Sequence, residues 1–411
     1  QIPRFSDDHS CSCFSFDLSA AKRCSSIVLM GELKEITVLG FGGETIASLS
    51  LSSDSRGSDI KTDIQNIIGV HPSQSILVWG SILLDDTQTL DEAGIHSGAC
   101  LQMIIKQSSF ALSGCQGGQM MLWDLSDGRC LREFDGDETT VKALAVQWSA
   151  MLALVGYANG SLKYWELSTG ECLREVGTHG DSIRSIVANW EMCQALSCAQ
   201  DGSMKLWDIC SGSLLQSFCG HNGHVLAVDV DWSIRRAMSG GQDCLIRIWE
   251  LDTGRCVGML QGHSRHVSAI ASRWDDMQVL SGSYDHFLKL WDLKTHSLMR
   301  SFNMHGKIER YAATSDLVCA MTVDWLQRRV VTCTTKNGVK VWDLDTAECL
   351  SSFNWKANPI CSVAIGSWPK RQVLSGHSDR RMRLWDIDSG MEILCFRGHL
   401  SPLTAVTADL S

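Results

Sequence analysis

The sequence predicts an all-β seven-bladed propeller preceded by a small α+β domain. Two observations carry this. Seven Trp-acid pairs recur: Trp123-Asp124, Trp165-Glu166, Trp207-Asp208, Trp249-Glu250, Trp291-Asp292, Trp342-Asp343 and Trp385-Asp386. Their intervals are 42, 42, 42, 42, 51 and 43 residues. A fixed period of this size marks one supersecondary unit stacked many times. The stretch before the first pair has no such beat and contains a helix-period run.

The totals bound the class. The chain has 411 residues, 44% hydrophobic and 20% charged, which suits a globular protein of two or three domains. No run of 18 apolar residues occurs, so no membrane-spanning helix is predicted. A net charge of −10 argues against sequence-independent nucleic-acid binding, which needs a basic footprint. Of 18 cysteines, Cys130, Cys172, Cys256 and Cys349 occupy one slot of the repeat. That register predicts small buried hydrophobes rather than disulfides. No C-x-x-C pair occurs, and Cys11-Ser12-Cys13 is too isolated for a zinc site. Reduced thiols point to an intracellular protein, cytoplasmic or nuclear.

Residues 1–29 are rich in Ser and Cys and lack periodicity. They have no continuous apolar core of the signal-peptide kind. The expectation is a disordered tail or a segment upstream of the true start. A domain follows over 30–107. ITVLGFGGETIASLSL reads as two strands around a Gly-Gly turn. In DIKTDIQNII, Ile60, Ile64, Ile67 and Ile68 fall on one helix face. SILVW, ILLDD and CLQMIIK then complete the order β-β-α-β-β.

From IKTDIQNIIGVHPSQSILVW to ACLQMIIK these residues resemble ubiquitin, almost without gaps. The helix, the IQ pair, Pro72, the DD turn, the TL pair and the final strand all align. The resemblance implies a ubiquitin-like β-grasp domain. It departs at its end, where Lys106 runs into Gln107-Ser108-Ser109 in place of a free Gly-Gly tail, so conjugation is not expected. The lysine best known for chain linkage is replaced by Ile82. Val78 and Ile104 match the apolar patch that ubiquitin-binding domains and proteasome receptors recognise, and Phe41 matches its mobile edge more loosely. Gln102 replaces a histidine of that patch.

From 108 to 411 each repeat has the same anatomy. In the fifth, VSAIA, QVLSGS, FLKLWDL and SLMRSF read as four successive strands divided by turns. A Gly-His pair before the first strand and a Trp-Asp pair in the third resemble the WD-repeat family. The first repeat begins at its second strand, Phe110 to Ser113. The missing inner strand is supplied by Leu403 to Thr407, so the ring is predicted to close through the C-terminal strand.

Counting back from each Trp exposes a polar register. Ten residues earlier stand Ser113, Val155, Ser197, Ser239, Ser281, Thr332 and Ser375; six earlier stand Gly117, Asn159, Asp201, Asp243, Asp285, Lys336 and Asp379. The WD-repeat resemblance implies buried hydrogen-bond sets: His179, Ser197, Asp201 and Trp207; His221, Ser239, Asp243 and Trp249; His263, Ser281, Asp285 and Trp291. A His, a Ser and an Asp within reach also suggest a hydrolase triad. Three copies at a structural period, without an oxyanion hole, favour a structural network. No catalytic residue, metal or cofactor is assigned. The second repeat, with Asp137, Val155 and Asn159, is the weakest.

Function is sought on the face bearing the loops between the second and third strands and between blades. The resemblance puts His224, His266, Gln200, Gln242 and Tyr284 there. Imidazole and phenol groups beside Gln suit a peptide-like partner. The 51-residue interval adds a long loop on the same face, with Arg310 and Tyr311 as contact candidates. A second tryptophan series (Trp148, Trp190, Trp232, Trp274, Trp325, Trp368) is read as packing between blades. Arg235-Arg236, Arg328-Arg329 and Lys370-Arg371 are read as solvated turns rather than a basic patch. The leading reading is a non-enzymatic scaffold or adaptor whose propeller binds a protein client and whose small domain docks on ubiquitin receptors or the proteasome. The alternatives are a propeller subunit of a larger complex and, less favoured, a propeller hydrolase.

Overall fold

The computed structural model describes residues 33–39, 45–68, 75–80, 82–105, 109–136, 138–304, 318–334, 338–353, 360–365 and 371–409. The chain divides into two compact units, Gln1–Gln107 and Ser108–Ser411.

The first unit is a mixed sheet with one helix. Strands β1 (Leu33–Leu39) and β2 (Thr45–Ser52) pair antiparallel. Helix α1 (Gly57–Ile68) follows, then β3 (Ser75–Trp79), β4 (Ile82–Leu83) and β5 (Ala99–Ile105). The sheet order is β2-β1-β5-β3-β4, and β5 runs parallel to β1. Alternation puts Ile36 and Val38 of β1 and Leu49 and Leu51 of β2 onto the core, where Ile60 and Ile64 of α1 cover them. Asp59 accepts the Arg56 backbone N–H at 2.8 Å and closes the helix start. Gly57 is required there, since a Cβ would stand 2.5 Å from the Asp85 carbonyl oxygen. The apolar stripe is not buried along its whole length. Ile67, expected inside, is 53% exposed, because it lies in the last helical turn, beyond the two isoleucines that cover the sheet.

The second unit contains, among the described residues, seven four-stranded antiparallel sheets consistent with WD propeller blades. Blade one combines Leu403–Ala408 with Phe110–Cys115, Met120–Asp124 and Cys130–Phe134. Blades two to seven take their strands consecutively, with inner strands Val141–Gln147, Ile183–Asn189, Val225–Asp231, Val267–Arg273, Val318–Asp324 and Ile360–Ile365. Each inner strand contacts the next. Leu403–Ala408 touches both Val141–Gln147 and Ile360–Ile365, which closes the ring. The sheets pack through apolar seams. Trp123 of blade one shares a cluster with Leu374, Leu384 and Phe396 of blade seven.

The slot of the four cysteines departs from the burial its register predicts. Cys130, Cys172, Cys256 and Cys349 are exposed, not buried. Each lies opposite a third-strand tryptophan at a bulge on the outer strand. The bulge turns the thiol outward, where it donates to the carbonyl two residues on, at 3.3–3.6 Å.

The turns repeat as faithfully as the strands. Met151, Cys193, Arg235, Met277, Arg328 and Arg371 all adopt positive φ, and each carbonyl accepts an N–H from the turn after the third strand, at 2.7–2.9 Å. Three of these arginines are engaged. Arg235 contacts Asp252 at 2.8 Å, Arg328 contacts Asp345 at 3.1 Å and Arg371 contacts Asp388 at 2.7 Å. Arg235 and Arg328 also donate to Gln194 and Gln278 of the preceding blade, both at 2.8 Å. The second tryptophan series lies beside these turns; Trp148 stacks on Phe110 and Trp190 on Tyr164 of the blade before. Trp368 lies outside the described residues.

Candidate functional site

The polar register becomes geometry through strand pairing. In each blade the second and third strands are neighbours, so the residue ten before the Trp approaches the indole N–H. Trp249 Nε1 donates to Ser239 Oγ at 2.8 Å. His221 Nε2 stands 2.7 Å from the same hydroxyl, and its Nδ1 is 2.9 Å from Asp243 Oδ1. Blade five repeats the chain: Trp291 to Ser281 at 2.8 Å, Ser281 to His263 at 2.8 Å, His263 to Asp285 at 2.8 Å. In blade three Trp207 and His179 meet Ser197 at 2.8 and 2.7 Å, but His179 Nδ1 bonds Ser203 Oγ at 3.1 Å and lies 3.4 Å from Asp201. Ser203, which also caps Asp201, was not singled out from sequence; an Asp-x-Ser spacing is its signal.

Charge follows burial and bonding. Burial pushes His179 down to about 4 despite the opposing Asp201 carboxylate, and it lowers His221 as well. For Asp285, burial alone would raise the pKa. The His263 bond and charge, with the Ser264 and Phe287 N–H groups, outweigh it and hold the carboxyl at about 2. These serines are buried, so their hydroxyls are not presented to solvent as nucleophiles.

The other blades depart from the set in different ways. Blade one joins Trp123, Ser113 and His399 at 2.7 and 2.6 Å, with Gly117 at the aspartate position. In blade seven His377, from the second strand itself, reaches Ser375 at 2.8 Å, while Asp379 turns to Arg383. In blade six Thr332 takes the Trp342 N–H at 3.0 Å and faces the Met304 sulfur at 3.8 Å. In blade two Val155 is buried and Trp165 Nε1 has no hydrogen-bond partner among the described residues. Asn159 instead caps its own turn through Ser161. Asp137 and Lys336 lie outside the described residues.

At one end of the ring the backbone brings the rim residues together. The N–H groups of Gln200, Gln242 and Tyr284 donate to the carbonyls of Ser182, His224 and His266, at 2.8–2.9 Å. His224 Nδ1 bonds the Gln200 carbonyl of the preceding blade, and its N–H donates to Gln242 Oε1 at 3.2 Å. The His266 and Tyr284 rings lie 5.5 Å apart, tilted by 37°. All five are half-buried. His224 is thus committed to joining two blades, whereas the His266–Tyr284 pair offers ring surface. Arg310 and Tyr311 lie outside the described residues. In the small domain Val78 is half-buried on β3, opposite exposed Gln102 on β5; the Ile104 backbone pairs with Ile76. The Ile104 side chain and Phe41 lie outside the described residues.

Among the described residues no group of His, Cys, Asp and Glu could hold a metal ion, and no helix is long and apolar enough to cross a membrane. The ubiquitin family matches residues 36–108. The WD domain, G-beta repeat family matches 170–208, 212–250 and 254–292, the segments that carry the three His-Ser-Asp-Trp sets. A solved structure, that of the computationally designed Ika8 protein, is similar at 29% identity, with a TM-score of 0.56. The match covers 72% of this chain and 86% of that one. No curated protein matches. The chain therefore carries a ubiquitin-family domain followed by WD40 repeats that form a propeller-like β structure. Both kinds of domain are typical of protein-interaction scaffolds and are typically non-catalytic.

Proposed function

We propose that this protein is an adaptor: the propeller rim holds a protein client, and the ubiquitin-like domain docks on ubiquitin-pathway receptors. The observation that carries the client site is the His266–Tyr284 ring pair; Gln242 and His224, bonded to each other, hold the corresponding positions in the preceding blade. Half-buried aromatic groups with little freedom left to lose make efficient anchors. Arg310 and Tyr311, outside the described residues, are kept as further contact candidates. Affinity capture from lysate with the full chain and with a Tyr284→Ala, Arg310→Ala double variant tests this. The variant should lose a client that the parent holds; retention of every partner would overturn the client site. For the small domain, Val78→Asp should abolish capture of proteasome ubiquitin receptors by the full chain, and unchanged capture would remove that half of the reading.

A second reading, a propeller subunit of a larger assembly, is favoured by the outer strands. Leu214 and Leu215, Val257 and Met259, Leu298 and Met299 expose apolar surface on three consecutive blades.

A further inference from the structure

Blades three, four and five each hold a carboxylate in the same cradle. The carboxylate of Asp201, Asp243 or Asp285 faces the histidine Nδ1. It also accepts two backbone N–H groups: from the residue after the histidine (Gly180, Asn222, Ser264) at 2.8–3.1 Å, and from two residues beyond the aspartate (Ser203, Leu245, Phe287) at 2.9–3.3 Å. Blade one has every part of this cradle except the acid. His399 is anchored by Ser113 and Trp123, and Leu400 and Gln119 carry the two corresponding N–H groups. The aspartate position is Gly117.

Two further observations converge there. His399 is only 6% exposed, and its Nδ1 has no hydrogen-bond partner among the described residues. A pocket of about 310 Å³ opens next to it, lined by Gly117, Gln119, Asp135, Leu400 and Ser401, though not by the His399 ring itself. Buried polar atoms of native proteins are paired in the great majority of cases, so an orphan beside a pocket points to a ligand.

We propose that blade one takes its missing carboxylate from outside, from an Asp or Glu side chain of a protein partner that enters the Gly117 pocket. By analogy with blades three to five, His399 Nδ1–H and the Leu400 and Gln119 N–H groups would meet the incoming oxygens, and Ser401, 2.9 Å from the Gly117 nitrogen, adds a hydroxyl. Leu400, 80% exposed at the mouth, gives the partner's chain an apolar contact, which a free anion would not use. Asp135 on the wall disfavours any anion, and a phosphate dianion more than the single charge of a carboxylate. Burial holds His399 down at about 4, so the ring is neutral at physiological pH and has one proton to give. A bound carboxylate fixes that proton on Nδ1, and Nε2 then accepts the Ser113 hydroxyl. This site does not depend on His266 or Tyr284 holding a client.

The test uses the full chain with ¹⁵N-labelled histidine and two capped peptides, Ala-Glu-Ala and Ala-Gln-Ala. The Glu peptide should shift the His399 ring nitrogens saturably, with an affinity at least about tenfold above that of the Gln peptide. Gly117→Asp supplies the acid internally. It should raise the melting temperature and remove the peptide response. Equal responses to the two peptides, or an undiminished response in folded Gly117→Asp, would overturn the proposal. If Gly117→Asp does not fold, the His399 shift in the parent chain decides: movement with Glu and not with Gln supports the site, and no movement refutes it. Tyr284→Ala should leave the His399 response unchanged, which separates this site from the rim.

Discussion

Blade four and blade two have the same four strands in the same order, and both bury their tryptophan against a phenylalanine of the preceding outer strand. Phe218 meets Trp249 edge-on at 5.9 Å, and Phe134 meets Trp165 edge-on at 6.3 Å. Their indole N–H groups end differently. Trp249 joins a chain through Ser239 and His221 to Asp243, whereas Trp165 lies near Val155 and has no partner among the described residues. Strand pairing and apolar seams are therefore sufficient to build a blade. The polar chain is an addition that ties the loop before the inner strand to the second and third strands.

The largest effect should come from breaking the chain where it is whole. Ser239→Val removes the shared partner of Trp249 and His221 and strands two buried groups. It should cost about 3 kcal/mol or more in denaturant unfolding, since each buried unsatisfied group costs about 1–3 kcal/mol. A cost below that of an ordinary surface substitution would show that the chain contributes little.

Next comes pH, which compares a complete set with a truncated one. His179 and His399 are both pushed down to about 4 in the folded state, from an ordinary 6.5. Below 6.5 the unfolded chain takes up protons that the folded chain refuses, so stability is full above 6.5 and falls as pH drops toward 4. Each histidine contributes a slope of at most about 1.4 kcal/mol per pH unit. Unfolding free energies measured between pH 7 and 4.5 should show the loss, and His399→Gln should reduce it by one histidine's share, His179 and His221 carrying the rest. A pH-independent stability over that range would mean that these rings are not held neutral.

Val155→Ser probes the other side of the comparison. It gives Trp165 an acceptor but removes buried methyl groups, two terms of about 1–2 kcal/mol each with opposite sign. The net should lie within about 1 kcal/mol of zero, in contrast to the reverse exchange at Ser239. A loss of about 3 kcal/mol would mean that blade two is built around the valine.

The smallest effect lies in the turns between the second and third strands. Blades one to three use Gly118, Gly160 and Gly202 at positive φ, but blade seven uses Arg380 at φ 67°. Arg380 is exposed, so Arg380→Gly relieves backbone strain without losing packing, and thermal unfolding should show a gain of about 0.5–1 kcal/mol.

The ring was legible in the sequence because its period is set by backbone geometry. One blade needs about the same number of residues each time, and Trp249 or Trp291 marks the beat. The closing role of Leu403–Ala408 was legible because blade one begins at its second strand. Side-chain direction at the irregular points was not. The cysteine slot reads as apolar by register, but the bulge opposite each tryptophan reverses it. His377 is not legible from spacing, because it reaches Ser375 from two residues along the same strand, not from the usual distance before the Trp. The orphaned nitrogen of His399 was invisible for a related reason: it depends on what Gly117 lacks, and only the neighbouring blades reveal that.

The pairing of Phe110–Cys115 with Leu403–Ala408 also sets a timetable. Ser113 and His399 are 286 residues apart, so during synthesis the three earlier strands of blade one must wait for the fourth. At about 5–20 residues per second that wait is roughly 15–60 s, with one sheet edge unpaired throughout. Six blades can assemble as they leave the ribosome, while the first in sequence is the last to be completed. A nascent-chain chaperone that shields the Phe110–Cys115 edge would be needed most in that interval, and a translational stall within blade seven should prolong it.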